Sequence, residues 1–201
     1  MNIYTAMKGK KIIKLIAIIG GGLVFIGGIV IGVTGYWPVA RVGLAPITYG
    51  MFRENFTMAD HFYRSNIKIT GESDVIMDTK EVQRDLQRAT MDALIEGILI
   101  DEELEKRYSE TDLEQLIKNK TEGIDLQSKE MGKATGLMYG LTPGQFKELV
   151  LLPKAKQEIL EGNITLQNGV FNDWLTEQKT AANVSVFVPA LYWDGKGVQA
   201  R

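Results

Sequence analysis

From Asp78 to Tyr108 the chain repeats one apolar pattern, and this repeat limits the possible folds more sharply than any other feature. Val82, Leu86, Ala89, Ala93, Gly97, Ile100, Leu104 and Tyr108 recur at spacings of three and four, the period at which side chains share one face of an α-helix. Leu94, Ile95, Ile98 and Leu99 widen the stripe in its middle. The spacing predicts a helix of about 30 residues, packed on more than one side at its centre. Asp78, followed three residues later by Glu81, has the form of a capping box that would start it.

Shorter elements flank this helix. Val39-Ala40-Arg41-Val42 reads as a short strand, closed by a turn at Gly43-Leu44-Ala45-Pro46. Thr48 is placed to cap a following helix with Met51, Phe52, Phe56, Met58, Phe62 and Tyr63 as its apolar side chains. Residues 65–77 read as a loop or short extended piece, with a break at Thr70-Gly71-Glu72-Ser73. Beyond the long helix, Ser109-Glu110-Thr111-Asp112 caps a helix to about Lys120, and another spans about Leu126 to Tyr139. Thr142 and Pro143 then take the cap and first position of the next helix. Pro153 inside it predicts a kink near Leu149–Pro153, and Gly162-Asn163 a break. The last helix runs from about Leu166 to Ala182, and Val184–Val188 alternates like a strand. Two isolated strands, one at each end of a helical body, most economically pair with each other. The tail from Asp194 to Arg201 reads as frayed.

Ahead of this body, Leu15 to Val33 carries no charged or strongly polar side chain. As a helix it would span about 28 Å, close to the hydrocarbon thickness of a bilayer. Lys8, Lys10, Lys11 and Lys14 precede it, which by the positive-inside tendency puts the N-terminus in the cytoplasm and the body outside. Tyr36 and Trp37 suit the interfacial belt on the far side. The expected organisation is therefore a basic cytoplasmic tail over 1–14, a single-pass anchor over 15–35, a helical domain over 36–189 and a flexible tail over 190–201. A cleaved signal peptide is the rival reading, although its apolar region is ordinarily shorter. Gly28 and Gly32 have the spacing that lets membrane helices approach closely; a lipid-facing helix without a partner accounts for them equally.

Charge and composition remove several function classes. The chain has 23 Lys and Arg against 25 Asp and Glu, a net charge of −2. The first 35 residues hold four lysines and no acid, leaving 19 bases against 25 acids in the rest. An acidic body is unsuited to binding nucleic acid, which needs basic surface to displace counterions from phosphates. There is no cysteine, so disulfide scaffolds, zinc–thiolate sites, iron–sulfur clusters and thiol catalysis are excluded. His61 is the one histidine and has no second histidine with which to share catalysis or a metal. Asp101-Glu102-Glu103 with Glu105 splay apart on a helix, where Glu102–Lys106 and Glu103–Arg107 form ordinary i,i+4 pairs. No cofactor, metal or catalytic residue is assigned.

The order of elements resembles the N-terminal chaperone domain of the SurA, PrsA and PpiD group, exported folding factors associated with parvulin isomerases. The family opens with a motif of the form VA-x-VNG-x-x-I-T-x-x-x-F. It stands here as Val39-Ala40-Arg41-Val42-Gly43-Leu44-Ala45-Pro46-Ile47-Thr48-Tyr49-Gly50-Met51-Phe52, with Gly43-Leu44 in place of Asn-Gly. The segment from Ala93 to Ile117 is similar to the family's long helix and the capped helix after it. Tyr139 to Leu160 is similar to its x-G-[LM]-[ST]-x-x-x-F-x-x-x-V segment, and Phe171, Trp174, Leu175 and Val184–Val188 to its closing helix and strand. The resemblance covers about residues 37–189 and rests on the order of the segments. Complete members carry a parvulin domain of about 90 residues, an ordinary small-domain size, before the closing helix. Here only a few residues separate Leu160 from Leu166. Parvulin catalysis also relies on histidines with a Cys or Asp, which this chain cannot supply.

The resemblance implies a mostly α fold: a transmembrane helix, then a helical SurA-N-like domain whose ends are joined by a small two-stranded sheet. It implies chaperone-like holding of unfolded or nascent exported proteins, without isomerase activity, beside the export machinery or a separate isomerase. A non-catalytic adaptor or structural subunit for one membrane partner is the alternative. Clients of such a domain would contact flexible apolar side chains, here Met51, Phe52, Phe56, Met58 and Phe62 with Met131, Leu137, Met138 and Tyr139. Each of these equally fits a helix core.

Overall fold

Pro38–Val42 (β1) and Ala45–Thr48 (β2) form an antiparallel hairpin closed by only two residues, Gly43 and Leu44. Gly43 takes φ +55, the positive φ that a two-residue hairpin with glycine at its first loop position requires. The expected four-residue turn is thus shorter, and Ala45 and Pro46 belong to a strand. The structure, a computed structural model, describes residues 35–71 and 73–201. The basic segment and the apolar run Leu15–Val33 lie outside these residues. No helix among the described residues is long and apolar enough to cross a membrane.

Over Pro38–Arg201 the fold is mostly helical with small antiparallel sheets. Thr48 caps α1 (Tyr49–Ile69), accepting from the Met51 N–H at 3.2 Å. The helix runs on through residues expected to be a loop, and a 3₁₀ turn (Asp74–Asp78) follows. Arg64 explains this continuity: its guanidinium meets Asp60 and Asp78, each at 2.8 Å, and Asp74 at 3.8 Å. Hydrogen bonds donated to Asp60, then to Asp78, hold Arg64 well above the usual arginine pKa. Asp78 is therefore committed to Arg64, and Thr79 instead caps α2 (Lys80–Arg107) by accepting from the Val82 N–H. The long helix itself falls where the repeat puts it.

Ser109 caps α3 (Glu110–Thr121) and Ser128 caps α4 (Lys129–Tyr139), which starts three residues later than expected. Thr142 and Gln145 complete a capping box on α5 (Pro143–Phe146). A π turn (Lys147–Leu151) then leads into α6 (Leu152–Leu166), in which Pro153 occupies the first turn. Gly162-Asn163 does not break α6. The Asn163 side chain accepts from Arg107 at 2.6 Å and donates to the Tyr108 hydroxyl at 2.8 Å, so it does not compete for its own helix backbone. The chain turns instead at Asn168, with φ 61, before α7 (Phe171–Ala181).

Val184–Val186 (β3) returns to pair with β1 as expected, and the pairing is antiparallel, with Ala40 opposite Val186 and Val42 opposite Val184. The sheet joining the two ends has three strands, in the order β2-β1-β3, rather than two. The expected frayed tail is also ordered. Leu191–Trp193 (β4) and Val198–Ala200 (β5) form a second hairpin, with Leu191 and Val198 fully buried. They join Val39, Ala40, Ile47, Met91 and Ile95 in a core beneath the sheet. A second core gathers Ile100 and Leu104 with Ile159, Leu160, Ile164 and Phe171. Successive stretches of α2 serve both cores, which is why its stripe widens.

Candidate functional site

Pro153 lacks the N–H that a continuous α-helix would donate to Leu149, so the ladder must change there. It does so through the π turn, in which the Leu152 N–H reaches back to the Lys147 carbonyl. One extra residue per turn re-aims the side chains on either side. Glu148, Leu149 and Leu152 thereby face a cleft rather than filling one. On the opposite wall, Met51, Glu54, Asn55 and Met58 lie on one face of α1 at helical spacing. Helices α1 and α6 both lean on α2, and Leu94, Gly97, Ile98 and Asp101 of α2 form the base between them.

The cleft has a volume of about 570 Å³, within the range of small-ligand or peptide side-chain sites. Met51, Met58, Leu94, Ile98, Leu149 and Leu152 make it largely apolar. At Gly97 a built Cβ meets no atom within 4 Å, so the missing side chain opens the base. Asp101 at the base is matched by Lys156 at 3.0 Å, and Glu96 by Lys179 at 2.7 Å. Burial by itself would lower the pKa of the Lys179 ammonium, but hydrogen bonds to Glu96 and Asp92 outweigh it and leave the value raised. Glu54 and Glu148 have no ion-pair partner among the described residues.

Of the nine apolar side chains singled out in the sequence, Met51 and Met58 line this cleft. Phe52 packs beneath the sheet and stacks on Phe56, with centroids 6.1 Å apart. Phe62 stacks on Tyr139 at 5.0 Å, and Tyr139 meets Phe146 at 5.1 Å, forming an aromatic seam between α1, α4 and α5. Met131 and Met138 are half-buried on α4, whereas Leu137 is 73% exposed. The set is thus divided between the cleft, two packed seams and open surface. The cleft residues missed in the sequence are Leu94, Gly97, Ile98, Leu149 and Leu152. Their one available signal was a glycine and a proline interrupting otherwise apolar helices.

The remaining polar candidates serve structural roles. Ser65 donates to the Leu137 carbonyl at 2.9 Å and lies 3.2 Å from His61 Nδ1. With its own proton committed, Ser65 accepts from His61, which puts the ring proton on Nδ1. In the acidic run on α2, Asp101 pairs with Lys156 and Glu103 takes both Arg107 at 2.7 Å and Lys106 at 3.4 Å, so Lys106 pairs with Glu103 rather than Glu102. Among the described residues no group of three or more His, Cys, Asp or Glu side chains is placed to hold a metal ion, and no buried side-chain nitrogen or oxygen lacks a partner. No family model, curated protein or solved structure matches the chain.

Proposed function

We propose that this protein is a chaperone-like holding factor, anchored in the cell membrane by Leu15–Val33, with its helical SurA-N-like domain outside the cytoplasm. Its task is to bind unfolded or nascent exported polypeptides reversibly, without a catalytic step. The open cleft between α1, α2 and the π turn is the observation that carries this reading. An unfolded segment exposes isolated apolar side chains, and their transfer to an apolar recess is favourable by about 25 cal/mol per Å². The unbranched Met51 and Met58 adjust to side chains of different shape. Release is easy because the cleft stays open to water. Anchoring keeps the local concentration high where exported chains emerge, and the acidic body favours solubility of the complexes.

Gly97→Leu tests the reading directly. The new side chain enters the space above Gly97, and replacing a mid-helix glycine removes about 0.5–1 kcal/mol of backbone cost. The full chain in lipid nanodiscs should suppress aggregation of several chemically unfolded clients. The variant should lose most of that suppression while melting at the same or a higher temperature. Equal suppression by both would dismiss the cleft as the holding site. No suppression by the wild type would move the search to an adaptor role with one dedicated membrane partner.

A further inference from the structure

The walls of the cleft carry an uneven charge, and this bears on which segments it holds. We infer that the cleft selects extended apolar segments that carry Lys or Arg, and discriminates against those carrying Asp or Glu. The inference rests on the holding role proposed above and names its client chemistry. Four carboxylates and two ammonium groups line the cleft. Lys156 pairs with Asp101 from within the cleft, and Lys179 pairs with Glu96 from behind it while also holding Asp92. What remains is Glu54 on α1 and Glu148 in the π turn, both exposed, against Lys154. The two carboxylates stand on different elements beside an apolar base. A segment whose apolar side chains enter between α1 and α6 therefore brings its flanking residues past one or the other.

The amides suit an extended backbone. Asn55 donates its side-chain N–H to the Met51 carbonyl at 2.9 Å, which leaves its oxygen as an acceptor for a peptide N–H. Gln157, on the opposite wall, offers both a donor and an acceptor. The wider field acts in the same direction, since residues beyond the first 35 hold 25 acids against 19 bases. Such a field speeds the approach of cationic segments and slows anionic ones.

The test measures binding of three fluorescent nonapeptides to the full chain in zwitterionic phosphatidylcholine nanodiscs. All three share one apolar core of Leu and Phe, flanked by two Lys, two Ser or two Glu. The expected order is Lys tightest and Glu weakest, with about tenfold between the extremes at low salt, a modest sum of exposed pairs. The gap should close near 1 M salt, where charges beyond ~3 Å are screened. Glu54→Lys with Glu148→Lys should reverse the order, and Glu54→Gln with Glu148→Gln should flatten it. Circular dichroism checks that the exposed substitutions leave the fold intact. Equal binding of all three peptides, blocked by Gly97→Leu, would overturn the charge selection and leave the holding site standing. No binding of any peptide would overturn both.

Discussion

At the scale of single residues, Gly140 is the described glycine with the least room for a side chain. It ends α4 with φ +67, its N–H reaching the carbonyls of Gly136 and Thr135. A Cβ built there stands 2.5 Å from His61 Cδ2. Gly140→Ala should therefore cost about 2–4 kcal/mol, combining left-handed strain with overpacking. Gly123 is the control, with φ +98 and open space around its Cβ; Gly123→Ala should cost about 1–2 kcal/mol from strain alone. Urea unfolding of both variants measures the difference, and adding His61→Ala to Gly140→Ala should recover the overpacking share. The sequence Tyr139-Gly140-Leu141-Thr142-Pro143 made the helix stop legible because stop and restart signals are local. The dependence on His61 was not legible, since no local pattern brings α1 against α4.

At the scale of elements, the caps at Thr48, Ser109 and Thr142 and the length of α2 could be read from spacing. The β4–β5 hairpin could not. Its strands have three residues each, too few for alternation to register, and Gly195 and Gly197 between them resemble a loosening tail. Asp194 supplies the missing order: its side chain accepts from the Lys196 and Gly197 N–H groups, both at 2.8 Å. Those two backbone bonds, with Gln199 adding to them, hold the Asp194 carboxyl below the usual aspartate value. A lowered folded-state pKa stabilises the fold above the unfolded value of about 3.9 and loses that contribution as pH falls through the lower folded value. The Asp194 carboxyl, followed by NMR, should titrate below the ordinary aspartate midpoint. Asp194→Asn should remove that part of the hairpin's acid dependence, and a normal midpoint would show that the turn does not hold the charge. The cleft was illegible for a related reason. It needs three elements together, and its opening depends on the π turn that Pro153 provokes.

For the whole molecule, the division of α2 between two cores sets the order of dependence. The core beneath the sheet draws Leu191 and Val198, both at 0% exposure, from the final twelve residues of the 201. Removing residues 190–201 should therefore lower stability by about 3–6 kcal/mol, the value of two fully buried aliphatic side chains. The loss should fall on the half of α2 nearest Met91 and Ile95 while the core around Leu104 and Leu160 persists. Hydrogen exchange would reveal this as early opening confined to the sheet and its half of α2. A truncated chain as stable as the parent would restore the tail to a dispensable role.

The sheet that joins the two ends also determines how the domain responds to load. The start of β1 lies beside the end of β3, where the Phe187 N–H donates to the Val39 carbonyl. Tension between Pro38 and Val188 would reach this bond first and then pass along the ladder from Ala40–Val186 to Val42–Val184. Antiparallel rungs loaded from one end break singly, as in a zipper, instead of resisting together in shear. Pulled between those two points, the domain should therefore open at its sheet first. Its helices, and the cleft between them, outlast the seam that holds the chain closed.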